Sequence, residues 1–205
     1  MQGFDRRDAR QRLRAMHASL PREWIATASA EIAHRLEQLL PRLQSACFAF
    51  TWPMPGEPDL RQAAARWIAA GGSAALPETV RGQPLIFRPW SPGAPMRPGV
   101  WNIPVPEIEQ TAVPEILLIP CLGFDAAGFR LGNGGGFYDR TLAALNPRPL
   151  AVGVGWSHAT LTTIQPQPHD IPMDLIVTEQ AAIWHRLEMP ENVASPLTDA
   201  PRDGI

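Results

Sequence analysis

No lysine occurs in this chain: all 18 of its basic residues are arginines. That absence excludes Schiff-base chemistry, and it excludes the usual P-loop, whose ammonium reaches the terminal phosphates of a nucleotide. Phosphate charge must be met here by guanidinium groups, backbone N–H groups or a metal ion. Cysteine is scarce too. Cys47 and Cys121 both lie in apolar surroundings, are too few for a zinc site, and read as buried reduced thiols. There is no Gly-x-Ser-x-Gly elbow and no His-Glu-x-x-His, which removes support for serine-hydrolase and zinc-protease chemistry. No segment approaches the roughly 18 consecutive apolar residues of a membrane span, and the arginine-rich beginning has no apolar signal core. A soluble, cytoplasmic protein without a membrane partner is expected. The net charge of −2 gives no global attraction for nucleic acid, so any basic function must be local.

What is present suits one well-buried domain: 45% of the 205 residues are apolar. A single α/β domain is expected over residues 1–188, followed over residues 189–205 by a flexible tail of mixed prolines and charges. Asp5 to Ser19 and Arg22 to Leu40 read as amphipathic helices separated by Pro21. Ala46 to Trp52 reads as a strand, Pro58 to Ala70 as a helix stopped by Gly71-Gly72, and Ser73 to Leu76 as a second strand; this βαβ unit implies a parallel sheet. The proline-rich stretch Arg81 to Pro114 reads as a covering segment with one strand, Pro84 to Trp90. Further strands are expected at Ile116 to Ile119, Leu150 to Gly155 and Asp174 to Thr178, with a helix at Gly136 to Leu145.

The most informative segment runs from Asp125 to Arg140 and holds Gly132-Asn133-Gly134-Gly135-Gly136 ahead of that helix. Glycines expose backbone N–H groups at little steric cost, and the helix directs its positive end into the turn. It is not the dinucleotide fingerprint, because Phe137 stands where the third glycine would. A bare glycine cluster is more often a packing turn; Arg130, Asp139 and Arg140 beside it favour an anion site. Arg6, Arg10 and Arg14 recur at intervals of four, so on a helix they form one ridge, either a phosphate clamp or a solvated basic face. Glu57 follows the strand Ala46 to Trp52, at the end of a strand where open α/β sheets bind ligands, and either receives a ligand N–H or caps the next helix. Trp52 can stack on a flat ring or pack in the core. Asp139 with Asp170 would be enough carboxylate for magnesium, which takes its remaining ligands from water and phosphate.

These residues resemble a known family. Phe124-Asp125-x-x-Gly128-x-Arg130-Leu131-Gly132-x-Gly134-x-Gly136-Phe137-Tyr138-Asp139-Arg140 is similar to the signature of the 5-formyltetrahydrofolate cyclo-ligases. Gly56-Glu57-x-Asp59, Ala75-Leu76-Pro77 and His169-Asp170-x-x-x-Asp174 fall in that family's order. The resemblance implies a three-layer α/β/α fold with a mostly parallel central sheet. It also implies ATP- and magnesium-dependent closure of 5-formyltetrahydrofolate to 5,10-methenyltetrahydrofolate through a phosphorylated formyl group. On it, Arg6, Arg10 and Arg130 would hold ATP phosphates, and Gly132, Asn133, Gly134, Gly135, Gly136 and Phe137 would lie where phosphate meets folate. Asp139 and Asp170 would hold magnesium, Trp52 and Glu57 would face the folate, and Arg130, Tyr138 and Asp139 would serve the reaction. The protein would act on these small molecules as a monomer or weak homodimer. Asn133 and Val105 depart from the family's usual residues, which motivates an alternative: a non-catalytic relative that binds folate or nucleotide in a regulatory role.

Overall fold

A computed structural model of the protein describes residues 4–186; the expected tail lies outside the described residues. Helix α1, Arg6–Ala18, begins where the Asp5 carboxylate accepts the N–H groups of Arg7 (2.7 Å) and Asp8 (3.3 Å), an N-cap that fixes the register of the arginine ridge. Pro21 starts α2, Arg22–Leu39, which buries Ile32 and Leu36 completely. Strand β1, Cys47–Ala49, helix α3, Arg61–Ala69, and strand β2, Ser73–Glu78, form the expected βαβ unit with β1 and β2 parallel.

The central sheet adds β3 (Ile86–Trp90), β6 (Ile116–Pro120), β9 (Leu150–Val154), β11 (Leu175–Val177) and β12 (Ala182–Trp184), in the order β12-β11-β9-β6-β1-β2-β3. The inner pairs are parallel, and the two edge strands are antiparallel to their neighbours. Strand alternation divides the side chains between two cores. Phe48, Ile116, Leu118, Val152 and Val177 pack against α2 and α3. Ala49, Leu117, Ile119, Ala151 and Ile176 face the other way, toward Leu142 of α4, Phe137–Ala144. The result is the expected α/β/α layering.

The edge strand β12 has no counterpart among the strands expected from sequence, and two further features are likewise unforeseen. The covering segment contains a ribbon of β4, Met96–Pro98, and β5, Pro104–Pro106. Its prolines conceal it, yet a two-stranded pair needs few N–H donors and tolerates them. The glycine segment is preceded by a hairpin of β7, Gly123–Asp125, and β8, Arg130–Leu131, with β10, Thr160–Leu161, alongside β7. Buried Asp125 closes this hairpin by accepting N–H groups from Ala127, Phe129 and Ile164. Leu13 and Ala9 of α1 pack on it with Leu131 and Ile164, which brings the arginine ridge over the glycine loop.

Candidate active site

Strand order reverses between β1 and β6: from β1 the chain moves outward to β2, and from β6 it moves outward to β9 and β11. Open α/β sheets leave a crevice at such a switch point, beyond the carboxyl ends of the strands. A cavity of about 900 Å³ occupies this place, with Thr51 after β1 and Pro120 at the end of β6 in its floor. That volume is in the range of small-molecule and cofactor sites.

One wall is the glycine loop. Gly134 (φ +100°) and Gly136 (φ +63°) take the left-handed conformation that favours glycine, and a Cβ on Gly135 would come within 2.4 Å of the Phe137 ring and displace it. Gly136 is also the N-cap of α4 and offers no side chain to that end. The first N–H groups of a helix have no intrahelical acceptor, which leaves those of α4 to a ligand or to water. Opposite stand Arg6 and Arg10. Arg10 donates through Nε to the Gly132 carbonyl at 2.9 Å; burial, then the charges of Arg6 and Arg14, lower its pKa, which marks a site short of negative charge. The buried Nε of Arg6 has no partner among the described residues. A crowd of guanidinium groups and an orphaned donor suit an anion.

The carboxylates are engaged. Asp170 accepts both terminal nitrogens of Arg6, at 2.7 and 3.3 Å, and the N–H of Gln167 at 2.7 Å. Burial raises its pKa, but these donors outweigh it and hold the carboxyl below its ordinary value. Asp139 pairs with buried Arg130 at 3.1 Å and accepts the N–H of Ile171 at 3.1 Å, which keeps it next to the Asp170 segment. Arg130 also donates to the Ile171 carbonyl at 3.2 Å. No group of three potential metal-ligating side chains occurs among the described residues. Two carboxylates, Asp139 and Asp170, line the same cavity, a donor set that fits magnesium, which rarely has an all-protein cage, and does not fit zinc or calcium.

Glu57 and Tyr138 occupy the inner end. Glu57 accepts the Met54 N–H at 3.0 Å, and burial pushes its carboxyl above the ordinary value. Burial likewise pushes the Tyr138 phenol up to about 12, and its hydroxyl lies 3.2 Å from that of Thr51, so it is a neutral hydrogen-bonding group and not a base near neutral pH. Burial also raises the Cys121 thiol to about 12, in keeping with an inert thiol.

The sequence-derived residues Arg6, Arg10, Glu57, Arg130, Gly132 to Asp139 and Asp170 all line this cavity. Trp52 does not. It packs against the α2–α3 core with the Arg61 guanidinium 4.7 Å from its ring centroid, the commoner fate of a tryptophan. A different aromatic residue, Trp101, takes the position over the cavity. It lies between β4 and β5, 68% exposed, with its ring 5.8 Å from Phe137 in an edge-on arrangement. Its φ of 55° is unusual for a bulky residue and, with the 60° of Asn102, forms the turn between β4 and β5. The sequence signal for it, a tryptophan exposed within a proline-rich segment, is intelligible only once the ribbon is known.

A family model described as the 5-formyltetrahydrofolate cyclo-ligase family matches residues 3–179. Among curated relatives, a 5-formyltetrahydrofolate cyclo-ligase of Mycolicibacterium smegmatis is 36% identical over 69 residues, 34% of this chain and 36% of that protein. One of Haemophilus influenzae is 34% identical over 100 residues, 45% of this chain and 54% of that protein. The matched stretches thus span about half or less of those relatives' lengths. The solved structure of Aquifex aeolicus 5,10-methenyltetrahydrofolate synthetase superposes with a TM-score of 0.77 at 25% identity, covering 90% of this chain and 95% of that one. A methenyltetrahydrofolate synthetase from Mycoplasma pneumoniae, 20% identical with a TM-score of 0.70 over 86% of this chain and 99% of that one, shares the fold. With a family model spanning most of its length and the signature residues gathered around one cavity, the chain belongs to the 5-formyltetrahydrofolate cyclo-ligase family.

Proposed function

We propose that the protein uses ATP, with magnesium, to close 5-formyltetrahydrofolate to 5,10-methenyltetrahydrofolate. The formyl oxygen attacks the terminal phosphorus and releases ADP; N10 then attacks the activated formyl carbon, its proton is lost, and the carbon–oxygen bond breaks with departure of phosphate. The observation that carries this reading is one cavity in which an orphaned Arg6 donor and a glycine-walled helix start, an anion site, adjoin a recess holding Glu57 and Tyr138. Phosphoryl transfer asks for positioning and charge neutralisation and no protein nucleophile, which suits a cavity lined by no cysteine and by a phenol that stays protonated.

In this account Arg6, Arg10 and the loop N–H groups bind the phosphates, and Arg130 joins them from beneath. Asp139 and Asp170 hold magnesium, which when bound neutralises charge on the transferring phosphate. Glu57 accepts an N–H of the folate and fixes its formyl group toward the phosphates, while Tyr138 orients the reacting groups by hydrogen bonding. Trp101 and Phe137 enclose the rings and exclude water. ATP and the folate are the partners, and a monomer or weak homodimer in the cytoplasm suffices for the work. Among the described residues no helix is long and apolar enough to cross a membrane. Purified protein supplied with 5-formyltetrahydrofolate, ATP and magnesium is expected to develop the near-ultraviolet absorbance of the methenyl product, and not when ATP is omitted. A folded sample that leaves the folate unchanged contradicts the reading.

A further inference from the structure

The glycine loop is gripped from two sides by arginines to which the proposed reaction assigns no role. From α1, Arg14 donates through Nε to Asn133 Oδ1 at 3.1 Å and through a terminal nitrogen to the Asn133 carbonyl at 3.0 Å. From α4, Arg140 donates to the Gly135 carbonyl at 2.8 Å, with its guanidinium 4.8 Å from the Phe137 ring centroid. Arg140 lies so close that a Cβ on Gly136 would stand 2.9 Å from its terminal nitrogen. Because a trans peptide is planar, the carbonyl of one residue and the N–H of the next point in opposite directions. Holding the carbonyls of Asn133 and Gly135 against these arginines therefore turns the N–H groups of Gly134 and Gly136 away from them. A run of glycines has much conformational freedom to lose, and a loop ordered before its ligand arrives spares binding that loss.

We propose that Arg14 and Arg140 are positioning residues that set the glycine-loop amides for the phosphates of the nucleotide and are not themselves phosphate ligands. The assignment rests on the nucleotide-binding reading above. It also accounts for Asn133, whose side chain and carbonyl supply two acceptors to one guanidinium, a pair that a planar fork meets with two fixed donors and an ammonium meets only from a single flexible point.

The test uses Arg14→Lys and Arg140→Lys, which keep the charge and remove the fork. Amide hydrogen exchange of residues 133–136 in the ligand-free protein is expected to accelerate in each variant. The dissociation constant for the magnesium complex of a non-hydrolysable ATP analogue is expected to rise roughly tenfold, as for loss of a charge-assisted hydrogen bond. The ATP KM should rise with it while kcat at saturating ATP stays unchanged. Unchanged exchange, or wild-type nucleotide affinity in either variant, overturns the assignment. If the wild-type protein bound no nucleotide, the proposed reaction would fall, and exchange rates would still decide whether these arginines order the loop.

Discussion

At Glu57, burial opposes charge. Its carboxyl titrates above the ordinary value because the cavity removes it from water, while the Met54 N–H offsets only part of that. If the ionised form accepts a folate N–H, affinity for 5-formyltetrahydrofolate must fall as pH drops through this raised value, at higher pH than an ordinary carboxylate would dictate. Folate binding measured from about pH 4, where an ordinary glutamate titrates, up to neutral pH should show this step in the wild type and lose it in Glu57→Gln. Asp139→Asn has two expected effects. Magnesium-dependent turnover should fall at least roughly 100-fold, beyond the range typical of residues that merely support a metal ligand. Stability should fall by about 1–3 kcal/mol, because buried Arg130 loses its ionic partner and keeps the Ile171 carbonyl. Thermal unfolding with and without magnesium and nucleotide separates the two. Outside the cavity, burial and then the neighbouring His158 lower the pKa of His17 from 6.5 to about 4. The depressed value means that the unfolded chain takes up the proton first, so this contribution to stability is complete above pH 6.5 and is lost as pH falls toward about 4. Urea midpoints should decline over that window, and less steeply in His17→Gln.

Among the elements, the segment that carries Glu57 is held by a tryptophan. Trp156, fully buried after β9, donates through Nε1 to the Gly56 carbonyl at 2.7 Å, and Gly56 (φ +84°) lies so close to the His17 backbone that a Cβ would stand 2.4 Å from its carbonyl oxygen. Trp156→Phe removes the donor and leaves a buried carbonyl unpaired. It should lower stability by about 1–3 kcal/mol and weaken folate binding more than nucleotide binding, as calorimetry with each ligand would show. The helices and inner strands were legible in sequence because their apolar patterns are strong: the spacing of Ile32 and Leu36 on α2, the unbroken apolar run Ile116 to Ile119 on β6. The β4–β5 ribbon was not, since three-residue strands that contain Pro98, Pro104 and Pro106 carry no periodic signal. The ribbon also carries Trp101, which lines the cavity, whereas Trp52, nearer in sequence to Glu57, packs on the α2–α3 core.

For the molecule as a whole, the packing of α1 on the β7–β8 hairpin explains how residues as far apart as Arg6 and Asp170 come to share one ion pair at the cavity. Residue type and signature spacing identified most of the cavity wall. They could not reveal that Arg6 is paired with Asp170 and Arg130 with Asp139, because such pairings depend on how α1 and α4 approach the loop at residues 167–171. In these pairs the groups proposed for phosphate neutralise the groups proposed for the metal, so nucleotide and magnesium are expected to bind better together than either does alone. The central claim is that ATP activates the formyl oxygen, and its most direct test follows that atom. With 5-formyltetrahydrofolate carrying heavy oxygen in its formyl group, the account predicts that the methenyl product forms and that the label is recovered in inorganic phosphate, one labelled phosphate for each ring closed. Ring closure with unlabelled phosphate, or ATP hydrolysis without ring closure, would contradict it.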